Sequence, residues 1–319
     1  MRSEIQDPEP NLARGAIHGR LHRTPILSSE TLGRAFGGRA FLKAELFQKT
    51  GSFKPRGVLT KLASLSAEEK ARGVISISAG NHAQALAWAC TAEGIDCLLV
   101  TWRDASPFKV AATKAYGAAV DQTAADHIEA FERVEKLRRE SGRTLVHPFD
   151  DPLVIAGQGT VGVEIGEDLA DVDVVVVPVG GGGLISGIAS ALPGKRIVGV
   201  EPEGSAALHA ALEAGRPVEL RPDSIADALG APFAGVHAVE ICSRLGVETL
   251  LVSEGDIVAG FRFLYERAKL AAEPGAAAGV GAALAGKIPE VEGRTVCFVV
   301  SGGNVSPQTA SAILEGDEG

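Results

Sequence analysis

The chain reads as an α/β protein of two lobes, each built on an open parallel sheet, with a crevice between them. Three observations carry this. Val- and Ile-rich runs alternate with Ala-rich helical stretches along most of the 319 residues. The runs are apolar on both faces rather than alternating with polar residues, as in a sheet covered on both sides. They also fall into two groups, one from about residue 73 to 120 and one from 172 to 300. The length suits two modest domains or one large α/β unit.

In chain order, GVISIS (73–78) is a strand leading to the helical NHAQALAWACTAEG (81–94), and CLLVT (97–101) leads to SPFKVAATKAYG (106–117). The stretch AADHIEAFERVEKLRRESG (124–142) is a surface helix, since its acids and bases at helical spacing describe a solvated face. VDVVVVPV (172–179) runs into four glycines and LISGIASAL (184–192), and RIVGVEP (196–202) runs into GSAALHAALEAG (204–215). The last strand, TVCFVVS (295–301), ends in a glycine pair with a short tail after it, so no separate C-terminal regulatory domain is expected. No repeat, low-complexity segment or long linker interrupts the pattern.

Composition excludes several classes. Apolar residues make up 45 % of the chain, enough for a sizeable core, and the net charge of −9 argues against a general nucleic-acid or anionic-membrane binder. A local phosphate site stays open, because helix N-termini bind anions whatever the net charge. Cys90, Cys97, Cys242 and Cys297 form no CxxC pair, so neither a zinc ribbon nor a dithiol site is expected, and buried thiols in a reducing cytosol are. MRSEIQDPEP has no apolar core of a signal peptide, and the apolar run at 172–179 is broken by Asp173 and too short to span a bilayer. A cytoplasmic protein acting on a small molecule, with no nucleic acid or membrane partner, is the expectation.

Chemistry concentrates in loops at the carboxyl ends of strands, where open α/β sheets bind ligands. Gly180, Gly181, Gly182 and Gly183 follow a buried strand and precede a helix, which lets backbone N–H groups approach a phosphate. The dinucleotide fingerprint G-x-G-x-x-G fails in both registers, at Ile185 and at Ser186, and no Gly-Lys-Ser/Thr follows, so the loop suits a single phosphate. A second junction carries Ser78, Ala79, Gly80, Asn81 and His82, at a helix start suited to a carboxylate. There Asn81 can instead be a helix cap and His82 a buried, hydrogen-bonded histidine. The third junction is SGGN (301–304). In KTGSFKPRG (49–57), Lys54 lies between Phe53 and Pro55 at a helix start. The dipole and burial would lower its pKa and favour a neutral amine, the form that makes Schiff bases. A one-phosphate cradle with such a lysine suggests pyridoxal 5'-phosphate, with a surface lysine beside a turn as the plain alternative.

SFKPRG resembles the S-F-K-x-R-G signature of the fold-type II pyridoxal-phosphate enzymes, in the threonine/serine dehydratase (ammonia-lyase) and serine racemase branch. The resemblance extends through HRTPILSS (22–29), LKAELFQKTGSFKPRG (42–57), SAGNHAQ (78–84), HPFDDPLVIAGQGT (147–160), GGGGL (180–184), GVEPE (199–203) and SGGN. It implies the tryptophan synthase beta-like architecture, with residues 1–65 and 146–319 as the large cofactor-binding domain and residues 66–145 as a small mobile domain. It implies Lys54 as the Schiff-base lysine and the base at the substrate Cα, with Phe53 beside the pyridine ring. Asn81 is expected on the ring hydroxyl, Gly180 to Gly183 with Leu184 on the phosphate, and Ser301 at the pyridine nitrogen. The loop from Ser78 to His82 is expected on the substrate carboxylate, and the assembly is expected to be a homodimer or homotetramer. A neutral hydroxyl at the ring nitrogen weakens electron withdrawal, which suits prompt loss of a β leaving group over transamination.

Departures from the family pattern narrow the expectation. The racemase branch carries a second acid/base serine where this chain has Ala79, which disfavours racemisation. Ala228 stands where related enzymes place a glycine against the ring. The racemase-type cation site would start at Glu201 and needs an acid where Ala207 stands, so no metal is expected. Between Asp121 and Glu132 the one cationic candidate is His127, which favours an uncharged substrate side chain. The activity implied is β-elimination of L-threonine and/or L-serine to a 2-oxo acid and ammonia. Alternatives are the same chemistry on a 3-hydroxyaspartate- or 3-phenylserine-type substrate, serine racemisation, and a non-catalytic protein binding the cofactor or an amino acid. Intact Lys54, Asn81 and Ser301 argue against the last.

Overall fold

Two sheets organise residues 8–316, the part of the chain that the computed structural model describes. The strands are β1 (Ile26–Ser28), β2 (Arg39–Ala44), β3 (Val74–Ile77), β4 (Cys97–Trp102), β5 (Ala119–Ala124), β6 (Thr144–Leu145), β7 (Val174–Pro178), β8 (Arg196–Pro202), β9 (Glu248–Val252) and β10 (Thr295–Val300). One sheet has the order β1-β2-β10-β7-β8-β9 and the other β5-β4-β3-β6. Every strand pairing is parallel except that of β1 with β2. The five apolar runs became β3, β4, β7, β8 and β10. The large sheet also recruits β1 and β2 from well before residue 172, and β9 extends its far edge.

Burial on both faces explains the unbroken apolar runs. In β7, Val174 and Val176 face a core shared with the buried helix Pro274–Leu284, while Val175 and Val177 face one shared with helix Gly183–Ala191. Each such valine contributes about 1.5–3 kcal/mol by leaving water. Helix Pro152–Asp168 crosses this second layer at close range. A Cβ on Gly159 would lie 2.6 Å from the Gly187 carbonyl oxygen, and one on Gly157 would lie 2.5 Å from that of Arg56. The expected charged surface helix is His127–Ser141, with Asp126 as its cap and only Ala130 and Val134 buried along it.

The strand order sets up the site. β10, last in sequence, inserts between β2 and β7, with Val300 opposite Ala44 and Phe298 opposite Val176. The carboxyl ends of β10 and β7 therefore deliver Ser301 and the glycine run side by side. The end of β3 delivers the loop beginning at Ser78 from the other sheet. The four cysteines are buried and free. Among the described residues no helix is long and apolar enough to cross a membrane.

Candidate active site

A cavity of about 480 Å³ opens between the carboxyl ends of the two sheets. Phe53, Lys54, Ser78, Ala79, Gly80, Asn81, His82, Gly180, Gly181, Gly182, Gly183, Leu184 and Ser301 all line it. Residues singled out from four separated stretches of sequence thus share one chamber.

Lys54 immediately precedes helix Pro55–Ala63, whose first position is a proline with no N–H to satisfy. Its Nζ donates to the carbonyl oxygen of Pro148 at 2.9 Å and lies 5.1 Å from the centre of the Phe53 ring. Burial pushes the amine down to about 8, opposed by the carboxyl of Glu273. An appreciable neutral fraction is therefore present near neutral pH.

The segment carrying Lys54 is clamped by a buried ionic network two residues further on. Arg56 donates to Glu45 through Nε and Nη2, at 2.8 Å each, and to Glu164 through Nη1 at 2.7 Å and Nη2 at 3.0 Å. Lys43 on β2 donates to the same Glu164 at 2.6 Å. Two cations balance two anions, and the fork geometry of the guanidinium satisfies both carboxylates at once. This network ties the lysine segment to β2 and to helix Pro152–Asp168.

The glycine loop has no space for side chains. A Cβ on Gly181 would lie 2.4 Å from the Phe149 ring, one on Gly182 2.5 Å from Ala238, and one on Gly183 2.8 Å from the Phe149 carbonyl oxygen. Gly182 has φ of 89°, which other residues rarely adopt, and caps helix Gly183–Ala191 with no side-chain hydrogen bond. The N–H groups of the first helical turn have no intrahelical acceptors, so they are available to an anion.

At the loop from Ser78 to His82 the alternative role of Asn81 as a helix cap is not the one observed. Gly80, not Asn81, is the N-cap of helix Asn81–Glu93, and no side chain caps it. The Asn81 amide is engaged elsewhere: its Nδ2 donates to Glu273 Oε1 at 2.6 Å, and its Oδ1 accepts from Asn304 Nδ2 at 2.7 Å. Ser78 Oγ accepts from the Gly80 N–H at 3.1 Å and shapes the turn. His82 is buried, with Nε2 within 3.1 Å of both Ser76 Oγ and the Val146 carbonyl oxygen, and burial pushes its imidazole down to about 3. It is neutral as well as cavity-lining.

Four charged groups of the chamber, Asp104, Lys109, Asp227 and Glu273, were not singled out from sequence. Glu273 is buried so fully that its carboxyl is pushed up to about 7. Lys109, from helix Pro107–Ala115, reaches across to Asp227 with its Nζ 2.8 and 2.6 Å from the two carboxylate oxygens. It is thus a cation of the chamber lying outside the stretch from Asp121 to Glu132. Glu273, Lys109 and Asp227 carried no local signal, because Glu273 finds Asn81 from 192 residues away and Lys109 finds Asp227 from 118.

The residues that marked departures from the family pattern are placed as follows. His127 stacks on Trp102 with ring centres 3.7 Å apart, and burial lowers its pKa, so it contributes an aromatic surface rather than a charge. Phe131 continues this wall. Ala228 lines the chamber too, and its methyl group faces Gly275. Glu201 accepts from the N–H groups of Leu208 and His209 at 2.7 and 2.8 Å.

The sequence pattern of the family described as "Pyridoxal-phosphate dependent enzyme" matches residues 17–302. A protein named L-threonine ammonia-lyase from Thermotoga maritima is 43 % identical over 92 % of this chain and 74 % of its own length. Among solved structures, maize serine racemase superposes with a TM-score of 0.90 at 35 % identity, covering 94 % of each chain. The processed form of threonine deaminase isoform 2 from Solanum lycopersicum gives 0.89 at 30 % identity, covering 97 % of this chain and 90 % of that one. The residues present fit the cofactor that the family description implies. A side-chain-free helix N-terminus suits one phosphate, and a buried amine on the same cavity suits one aldehyde. By sequence match and by fold, the chain belongs to the pyridoxal-phosphate-dependent enzyme family, with the tryptophan synthase beta-like architecture of fold type II.

Proposed function

We propose that the protein is an ammonia-lyase that converts L-threonine and/or L-serine to the 2-oxo acid and ammonia. The carrying observation is the Lys54 amine, buried, hydrogen-bonded to Pro148 and lowered towards neutrality in the chamber that holds the glycine loop. Relatives named for threonine deamination at about 40 % identity support the choice of substrate. Bound pyridoxal phosphate holds the substrate amino group and withdraws electrons from the Cα–H bond.

The chain's own groups supply the rest. Gly180 to Gly183 and Leu184 hold the phosphate through backbone N–H groups. Phe53 flanks the ring, Asn81 meets its hydroxyl and Ser301 its nitrogen. The uncapped turn from Ser78 to His82 binds the substrate carboxylate. Lys54 takes the Cα proton as a neutral amine, the β-hydroxyl leaves with a proton as water, and hydrolysis then yields the oxo acid and ammonia. Ala79 has no hydroxyl with which to return a proton to the opposite face, which supports elimination over racemisation. The aromatic wall of Trp102, His127 and Phe131 supports an uncharged substrate side chain.

Residues 66–145 are, in this reading, a small mobile domain, with the Lys109–Asp227 pair bridging it to the rest when closed. Self-association as a homodimer or homotetramer completes the proposal. The test is 2-oxo acid release by cofactor-loaded protein with L-threonine, L-serine, D-serine, threo-3-hydroxyaspartate and 3-phenylserine. Rapid release from L-threonine or L-serine is expected, and its absence from both overturns the reading.

A further inference from the structure

Asn81 holds two opposed contacts that leave little freedom. Its Oδ1 takes an N–H from Asn304, which is itself anchored to the Thr50 carbonyl oxygen at 2.8 Å. One Nδ2 hydrogen goes to Glu273 Oε1 at 2.6 Å. What remains for the cavity is the second Nδ2 hydrogen, a donor and never an acceptor. Turning the amide over would set its NH₂ against the NH₂ of Asn304, whose own orientation the Thr50 carbonyl oxygen fixes, and its oxygen against the ionised Glu273 carboxylate, losing both bonds. Glu273 is in turn held by backbone, its N–H donating to the Gly302 carbonyl oxygen at 3.0 Å, directly after Ser301. Its Oε2 is buried and has no partner among the described residues. The carboxyl is wedged so tightly that a Cβ on Gly302 would lie 2.3 Å from Oε1.

We propose that Glu273 is a positioning residue which, together with Asn304, locks the Asn81 amide so that it offers only an N–H to the oxygen substituent of the cofactor ring. This rests on the reading that Asn81 meets the ring hydroxyl. A fixed donor there favours the ring oxygen as an anion and penalises its protonated form. Glu273 acts through Asn81 and need not touch the substrate, so its removal should be felt in the cofactor itself before any turnover.

The experiment is a double-variant cycle read by cofactor affinity and by the visible absorbance of the loaded protein, without substrate. Asn81→Ala, Glu273→Leu, Glu273→Gln and Asn304→Ala are titrated with pyridoxal phosphate. Asn81→Ala and Glu273→Leu should each raise the dissociation constant about tenfold, the scale of one charge-assisted hydrogen bond. Both should also move absorbance away from the wild-type band. Glu273→Gln keeps an oxygen for Asn81 and should stay within about threefold of wild type. In the Asn81→Ala background, Glu273→Leu should add nothing, because its route is gone. If Glu273→Leu fails to fold, the part-buried Asn304→Ala carries the same test, with the same spectral shift expected.

Additive losses in the cycle would mean that Glu273 is merely structural, and would overturn the proposal. A wild-type spectrum in both Glu273→Leu and Asn304→Ala would also overturn it while leaving the Asn81 reading intact. A wild-type spectrum and affinity in Asn81→Ala itself would overturn both. The elimination activity is tested separately by oxo acid release, so its failure is distinguishable from either.

Discussion

Replacing Arg56 by methionine should cost a large share of the stability, although Arg56 does not line the chamber. The guanidinium is fully buried and makes five side-chain hydrogen bonds, two to Glu45, two to Glu164 and one to Thr160. Methionine fills similar space but strands two carboxylates. Glu164 keeps Lys43, whereas Glu45, itself fully buried, keeps only the Thr24 hydroxyl. Removing one partner of a buried pair costs about 3–5 kcal/mol, against a total stability of about 5–15. At about 2.1 cal/mol/K per residue, the unfolding entropy of 319 residues is about 0.67 kcal/mol/K, so the midpoint should fall by about 4–8 °C. Calorimetry of the cofactor-free protein reads this directly. Adding Glu45→Gln should recover about 1–3 kcal/mol, because it removes the stranded charge. A single variant within about 1 kcal/mol of wild type, or a double variant no better than the single, would refute the claim that a balanced network holds the Lys54 segment.

Three further outcomes follow from the same geometry. Gly181→Ala pushes a methyl group against the Phe149 ring, which is itself held edge-on by His147 and Phe233, so cofactor binding should weaken about tenfold in an absorbance titration, consistent with about 1–3 kcal/mol of overpacking. Lys54 is lowered from 10.5 to about 8, so between those pH values the unfolded chain holds a proton that the folded cofactor-free protein has released. Stability should therefore rise with pH across that window, and denaturant titrations of Lys54→Met should lack the rise, worth up to about 3 kcal/mol. Ala228→Gly removes a methyl group from the chamber, so the kcat/KM ratio of 3-phenylserine to threonine should increase about tenfold, with unchanged ratios indicating that Ala228 does not bound the side-chain space.

What was legible from residues alone is what local chemistry writes locally. A glycine run after a buried strand, a Ser-Phe-Lys-Pro stretch and Ser-Gly-Gly-Asn at a strand end each announce a loop, and all of them contribute residues to the chamber. Strands β1, β2, β5, β6 and β9 were harder to see. β6 is two residues long, β9 is an edge strand, and β2 carries Lys43 in its interior, tolerated because Glu164 from 121 residues away and the Thr24 carbonyl oxygen both accept from it. Helices Pro152–Asp168 and Pro274–Leu284 are buried almost all round, so they carry no amphipathic period to read. Asn81 shows the limit most clearly. Local preference makes asparagine a helix cap, yet a carboxyl 192 residues away claims its amide and the cap role falls to Gly80.

Two lysines, Lys54 and Lys109, line the chamber, and the covalent role is assigned to the first. Borohydride reduction of the cofactor-loaded protein, followed by digestion and peptide mass measurement, separates them. The reduced cofactor's mass is expected on the peptide containing Lys54 and on no other. Label on the Lys109 peptide, or no labelled peptide from a protein that carries the cofactor, would contradict the assignment.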